Sequence, residues 1–110
     1  MKVHLIKRQS IEAFVQISPQ YKPAFEDWLT KIRYADWYKP EDITRTFGSV
    51  DFLGNGSSRV IFNVAGNSCR VICKYVFGGK QVHLFVCWIG IHADYTKLCR
   101  GGEQYFVNKY

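Results

Sequence analysis

Three apolar runs separated by short polar turns constrain this chain most. Arg59–Val64, Cys69–Phe77 and Gln81–Ile89 are rich in Val, Ile, Phe and Cys, residues that suit a pleated, half-buried surface. Gly66-Asn67 and Gly78-Gly79 lie between them and read as tight hairpin turns, so the runs are expected to form an antiparallel meander. Two-residue turns also set register, and register sorts side chains onto faces. Around the first turn, Asn63 falls opposite Arg70, Ile61 opposite Ile72, and Arg59 opposite Lys74. Around the second, His83 falls opposite Lys74, Phe85 opposite Ile72, and Cys87 opposite Arg70. One face is then expected to carry Arg59, Asn63, Arg70, Lys74 and His83, with Ile61, Ile72, Phe85 and Cys87 between them. The other carries Val60, Phe62, Val64, Cys69, Val71, Cys73, Tyr75, Val82, Leu84, Val86 and Trp88. It has no charge, so it is the face expected to pack against helices.

Those helices precede the meander. Residues 1–6 alternate enough for a first strand, and Ser10 is placed to cap a short helix through Gln16, with Ile11, Phe14 and Val15 on one side. Ser18-Pro19 is a second start signal. Tyr21, Ala24, Phe25, Trp28, Leu29, Ile32 and Ala35 follow at helical spacing. Pro23 is tolerable only in a first turn, which puts this helix start within residues 19–23. Asp36 to Pro40 breaks the helix, Pro40-Glu41-Asp42 opens a short third one, and Ser49–Leu53 reads as a further strand. The expectation is an α+β fold of order β-α-α-β-β-β. An N-terminal strand and two to three helices pack on one face of an antiparallel sheet. Residues 1–110 read as one domain, with 99–110 a C-terminal tail whose packing the sequence leaves open.

A chain of 110 residues can bury roughly two-thirds of its surface, and its 47% hydrophobic and 16% aromatic content excludes disorder. Fifteen Lys and Arg against nine Asp and Glu give a net charge of +6. That balance favours nucleic acid, an anionic membrane or an acidic protein as partner, against the plainer reading of an ordinary basic surface. The N-terminal residues lack the apolar segment of a signal peptide, and no run reaches the roughly 18 apolar residues of a membrane span, so the cytoplasm is the expected location. Cys69 and Cys73 would lie about 13 Å apart on a strand, beyond one zinc or one disulfide. Cys87 and Cys99 fit no ligand spacing, so all four are read as reduced, mostly buried thiols.

The charged face is unusual. Arg59 directly opposite Lys74 is unfavourable unless an anion lies between them, and a phosphate suits both. Phe85 offers a surface for base stacking. The alternative is a solvated face whose cations pair with Asp51, Glu103 or water. Just after the third run, Gly90-Ile91-His92-Ala93-Asp94-Tyr95-Thr96-Lys97 sets an imidazole, a carboxylate, a phenol and an ammonium where a strand is expected to give way to a turn. His92 has the chemistry of a general acid or base, and Tyr95 would join it if a nearby cation lowered its pKa. The plainer readings are a hydrogen-bonded turn histidine and an aromatic packed at the sheet edge. His92-Ala93-Asp94 has no third ligand for a metal, and no glycine-rich nucleotide loop or nucleophile elbow is present.

Further pieces stand in order: Tyr34-Ala35-Asp36-Trp37, then Pro40-Glu41-Asp42-Ile43, Arg59 through Asn67, and Arg70-Val71-Ile72-Cys73-Lys74. With Gly90 through Leu98, the ordered set resembles the HigB toxins, a branch of the RelE-like toxins of bacterial type II toxin–antitoxin systems. The similarity runs over most of residues 1–98. It implies a RelE-like α+β fold and a metal-independent endoribonuclease without cofactor, cutting mRNA on the translating ribosome. The implied partner is a helix-turn-helix antitoxin resembling HigA. The implied chemistry is attack of an RNA 2′-OH on the adjacent phosphate. His92 and Tyr95 then become acid–base candidates, Arg70 and Lys74 transition-state stabilisers, and Arg59, Asn63, His83, Phe85 and Lys97 RNA-binding residues. The family's closing pattern resembles G-T-H-A-E-Y-D-K-I; here Asp94 stands for its Glu and Thr96 for its acid, and the tail after Leu98 has no counterpart. Rival readings are a non-catalytic RNA- or ribosome-binding module and a transcription-regulating partner of a DNA-binding protein.

Overall fold

Strand β1 (Lys2–Ile6) leads into α1 (Arg8–Ile17), a 3₁₀ turn (Pro19–Tyr21), α2 (Lys22–Arg33) and α3 (Glu41–Phe47) in a computed structural model that describes residues 1–110. Then come β2 (Val50–Leu53), β3 (Arg59–Val64), β4 (Cys69–Phe77), β5 (Gln81–Ile91), α4 (His92–Arg100) and a second 3₁₀ turn (Glu103–Tyr105). The fold is α+β, as expected. The sheet has five strands in the order β1-β5-β4-β3-β2. It is mixed rather than antiparallel, because β1 pairs parallel with β5, from Lys2↔Gln81 to Ile6↔Phe85. The helical excursion carries the chain from one edge of the sheet to the other. The meander then returns to β1 in the same direction.

Local chemistry accounts for most boundaries. Lys7 alone separates β1 from α1 and takes a left-handed backbone (φ 70), so α1 starts two residues before Ser10. Ser10 is therefore no cap; it is buried inside the helix, with its amide donating to the Lys7 carbonyl at 3.0 Å. Helix α2 begins within the expected window with Pro23 in its first turn, and Phe25, Trp28 and Ile32 form its buried stripe. Asp42 accepts hydrogen bonds from the Tyr38 and Lys39 amides at 2.8 and 3.2 Å, tying down the start of α3. Those donors hold its carboxyl below the usual range.

Between α2 and α3, the Met1 amine pairs with Asp36, and the Trp37 amide donates to the Met1 carbonyl at 3.1 Å. Trp37 is 0% exposed, and its indole Nε1 donates to Thr46 Oγ1 at 2.8 Å. The main core joins these helices to Val60, Phe62, Val64, Val71, Cys73, Val82, Leu84, Val86 and Ile89. Phe62 meets the Trp28 and Phe47 rings at 5.2 and 4.8 Å.

The β3–β4 register is the expected one: Asn63↔Arg70, Ile61↔Ile72 and Arg59↔Lys74. The β4–β5 register is not. Four residues separate the paired Phe77 and Val82, and the Gly78 amide donates to Gln81 O at 2.9 Å, so the turn is longer than Gly78-Gly79. His83 consequently faces Val76, and Lys74 faces Phe85. Farther along, a β-bulge skips Cys87, so Trp88 pairs with Ile72 and Arg70 with Gly90. Trp88 thereby leaves the helix-covered face for the opposite one. There it packs with Ile61, Ile72, Cys87 and Leu98 in a second apolar cluster beneath α4. Both faces of the sheet are thus partly covered, where covering of only one was expected. The cysteines are free; Cys69, Cys73 and Cys87 are buried and Cys99 is half-buried. No helix is long and apolar enough to cross a membrane.

Candidate active site

The strand-to-turn block is a strand-to-helix block. Ile91 keeps extended backbone (φ −77, ψ 163), and His92 is the first residue of α4. The His92 amide donates to Ser68 O at 2.9 Å, which pins this helix end to the β3–β4 turn. His92 and Tyr95 are three residues apart and so lie on neighbouring parts of one helix face. The His92 side chain is exposed, whereas Tyr95 leans on Trp88 with ring centroids 6.1 Å apart. The Arg70 guanidinium sits 5.7 Å from the centre of the Tyr95 ring. Its Nη1 donates to the carbonyls of Asn67 and Cys69 at 3.0 and 3.3 Å, and Asn63 lies directly across on β3. Asn63 Oδ1 is buried without a donor, which leaves an acceptor free beside Arg70.

Tyr95 corrects an expectation. Its pKa is pushed well above the usual phenol range, first by burial, then by its hydrogen bond with Cys99 and by the Asp51 carboxylate; Arg70 opposes this and loses. Tyr95 is therefore protonated at neutral pH and offers a proton rather than accepting one. The folded protein also holds this proton more tightly than the unfolded chain does, so its contribution to stability is present below pH 10.0 and declines above it. Asp51 reaches the site by register, heading the row Asp51–Ile61–Ile72–Trp88.

Gly90 makes this packing possible. A Cβ there would stand 2.4 Å from the Trp88 ring. Gly90→Ala is expected to displace Trp88 and the Tyr95 resting on it, lowering stability by about 1–3 kcal/mol. Urea unfolding measures the loss; an unchanged midpoint would show that the ring has room to move.

The remaining candidates lie elsewhere. Lys74 is four residues from Arg70 along β4, about 13 Å away, so the expected single cationic cluster is two stations. The second station is an open cleft of about 490 Å³, lined by Lys7, Arg59, Lys74, Phe85 and Asn108 among others. Arg59 was expected to be open to phosphate. It is instead 7% exposed and donates from Nη1 to the carbonyls of Gln104 and Val107 at 3.2 and 2.6 Å. His83 sits beyond this cleft, 3.0 Å from the Gln81 amide and 6.0 Å from the His4 ring, well away from His92. Lys97 projects from the opposite side of α4 to Tyr95, beside Asp94, Glu103 and Lys109. Sequence reasoning does not place Trp88, Lys7 or Cys99 on this surface. It leaves open the tail after Leu98, which could cover the site, and the tail's Tyr105, Phe106, Val107 and Tyr110 are the apolar signal that it packs.

The chain has relatives among known proteins. The model of the HigB toxin family, described as the RelE-like toxic component of a toxin–antitoxin system, matches residues 21–98, from the start of α2 to Leu98. The chain is similar to the mRNA interferase toxin HigB of Escherichia coli strain K12, at 26% identity over 82 residues, covering 74% of this chain and 79% of that relative. The mRNA interferases HigB of Escherichia coli O157:H7 and of Shigella flexneri match at the same identity and coverage. The matched span holds Arg70, His92 and Tyr95 together with the strands and helix that position them. On that footing the chain belongs to the HigB family, the RelE-like toxic components of toxin–antitoxin systems.

Proposed function

We propose that this chain is an mRNA interferase, an endoribonuclease in which His92, Tyr95 and Arg70 act on one phosphodiester. The observation that carries this reading is an exposed imidazole at the first residue of α4, three residues before a protonated phenol that lies under the Arg70 guanidinium. His92 takes the proton of an RNA 2′-OH, the 2′ oxygen attacks the adjacent phosphorus, and the bond from phosphorus to the 5′ oxygen breaks. Arg70 stabilises the charge on the pentavalent phosphorane, and Tyr95 donates its hydrogen bond to the reacting phosphate. The 5′ oxygen leaves with the proton of the Tyr95 phenol, which is regained from the His92 imidazolium through solvent, giving a 2′,3′-cyclic phosphate and a 5′-OH. Asn63, directly across from Arg70, is a positioning group whose side-chain amide must turn outward to reach the nucleotide, while Lys74 and Phe85 hold RNA farther along β4. The names of the relatives support mRNA as substrate.

Membership of a toxin–antitoxin family implies an antitoxin partner. A helix-turn-helix antitoxin resembling HigA, and cleavage on the ribosome in the cytoplasm, are parts of the same proposal. Purified chain is incubated with an mRNA, either free in EDTA or on translating ribosomes in magnesium buffer, and new 5′ ends are mapped. Fresh 5′-OH ends are expected despite the chelator, and Tyr95→Phe is expected to slow their appearance by about 100-fold with RNA affinity retained. RNA binding without new ends would favour the non-catalytic module instead.

A further inference from the structure

Buried cations call for anions. Arg59 is 7% exposed, faces Lys74 across the β3–β4 ladder and shares a cleft with Lys7, yet no carboxylate pairs with it. The carbonyls of Gln104 and Val107 satisfy the N–H groups of its Nη1 but leave its charge uncompensated. The segment that supplies them is held lightly. Its Lys109 amide donates to Cys87 O at 2.9 Å, a carbonyl of the residue the β4–β5 pairing skips. Val107 is half-buried on the second apolar cluster, and Tyr110 rests on the margin of the main core. No ion pair involves a residue after Arg100, Gln104 Oε1 is buried without a donor, and Phe106 is 81% exposed.

We propose that residues 104–110 are a displaceable occupant of the RNA groove. The carbonyl oxygens of Gln104 and Val107, both on Arg59 Nη1, stand where an RNA phosphate binds, and a phosphate replaces these neutral bonds by charge-assisted ones. RNA engaged at Arg70 and extended along β4 lifts the segment and exchanges these neutral acceptors for a charged one at Arg59, Lys74 and Lys7. The inference rests on the reading of this surface as RNA-binding and adds that the free protein is partly closed. Apparent affinity is then reduced by the fraction of molecules that are open.

The test uses the full chain and a 2′-O-methyl RNA oligonucleotide, which binds without being cut. Val107→Gly weakens the apolar anchor and is expected to tighten oligonucleotide binding by about 3- to 10-fold. Lys109→Pro removes the amide that meets Cys87 and is expected to do the same, despite losing a positive charge. In the unaltered chain, saturating oligonucleotide should abolish the slow hydrogen exchange of the Lys109 amide. Adding Arg59→Ala to Val107→Gly should erase the gain and flatten the salt dependence. Equal or weaker binding by both single variants, or a Lys109 amide that stays protected in the complex, overturns the proposal. Cleavage of an unmodified transcript is scored separately: release of the segment without cleavage supports the groove and overturns the enzymatic reading alone.

Discussion

Replacing His92 by alanine is expected to lower the rate constant for RNA cleavage by about 10²- to 10⁴-fold while leaving RNA affinity nearly unchanged. The reasoning is by role. Tyr95 is held protonated by burial, so it cannot accept the 2′ proton, and the Arg70 guanidinium carries donors only. His4 and His83 face each other at the β1–β5 end of the sheet, away from α4. That leaves His92, whose backbone is fixed by Ser68 while its side chain is exposed. Alanine keeps the helix and the amide-to-Ser68 bond, so the loss should fall on turnover rather than on folding or binding. Single-turnover cleavage of a labelled RNA measures the effect, and free imidazole should restore part of it. Undiminished cleavage by the variant would remove His92 from the mechanism.

The largest effect on stability is expected at Trp37. Trp37→Ala should lower the unfolding free energy by about 3–5 kcal/mol, a large share of the 5–15 kcal/mol typical of a domain. The side chain is fully buried, meets Phe47 at 6.4 Å between ring centroids and donates to Thr46. It joins the start of the chain to α3, so the void is bounded by two elements that cannot easily collapse together. Trp37→Phe keeps most of the apolar volume and loses the hydrogen bond to Thr46, which should cost about 1 kcal/mol plus a smaller packing loss. Urea titration with an unchanged slope distinguishes the two variants. A cost below about 1 kcal/mol for alanine would mean that the site closes over the missing indole.

What was legible in the sequence follows from how local its causes are. The spacing of Phe25, Trp28 and Ile32 revealed α2, and the Gly66-Asn67 turn yielded the β3–β4 register residue for residue. The β4–β5 register was misread because a longer turn and an extra residue at Cys87 are backbone choices set by packing. Helix α4 was read as a turn because it buries only Leu98, too little for a periodic signal. Alternation alone identified Arg59, Asn63, Arg70 and Lys74 as one face. Their division into two stations depends on residues far along the chain: the acceptors that hold Arg59 lie 45 and 48 positions away. The high pKa of Tyr95 arises in the same way, first from burial against Trp88 and its neighbours, with Cys99 and the distant Asp51 on β2 adding to it.

The parallel pairing of β1 with β5 bears on how a toxin of this kind is made. Lys2 meets Gln81, so the first strand finds its partner only after most of the chain exists. Loop-closure entropy makes so distant a pairing a late event in folding. The helices can gather on β2, β3 and β4 while synthesis continues, but β5 must emerge before the sheet is sealed, and α4 hangs directly from β5. Arg70 precedes His92 and Tyr95 in the chain, so the three can share one surface only after β5 and α4 have joined the sheet. A product interrupted before β5 would lack His92, Tyr95 and the partner strand of β1, so the proposed site cannot form until the chain is nearly complete.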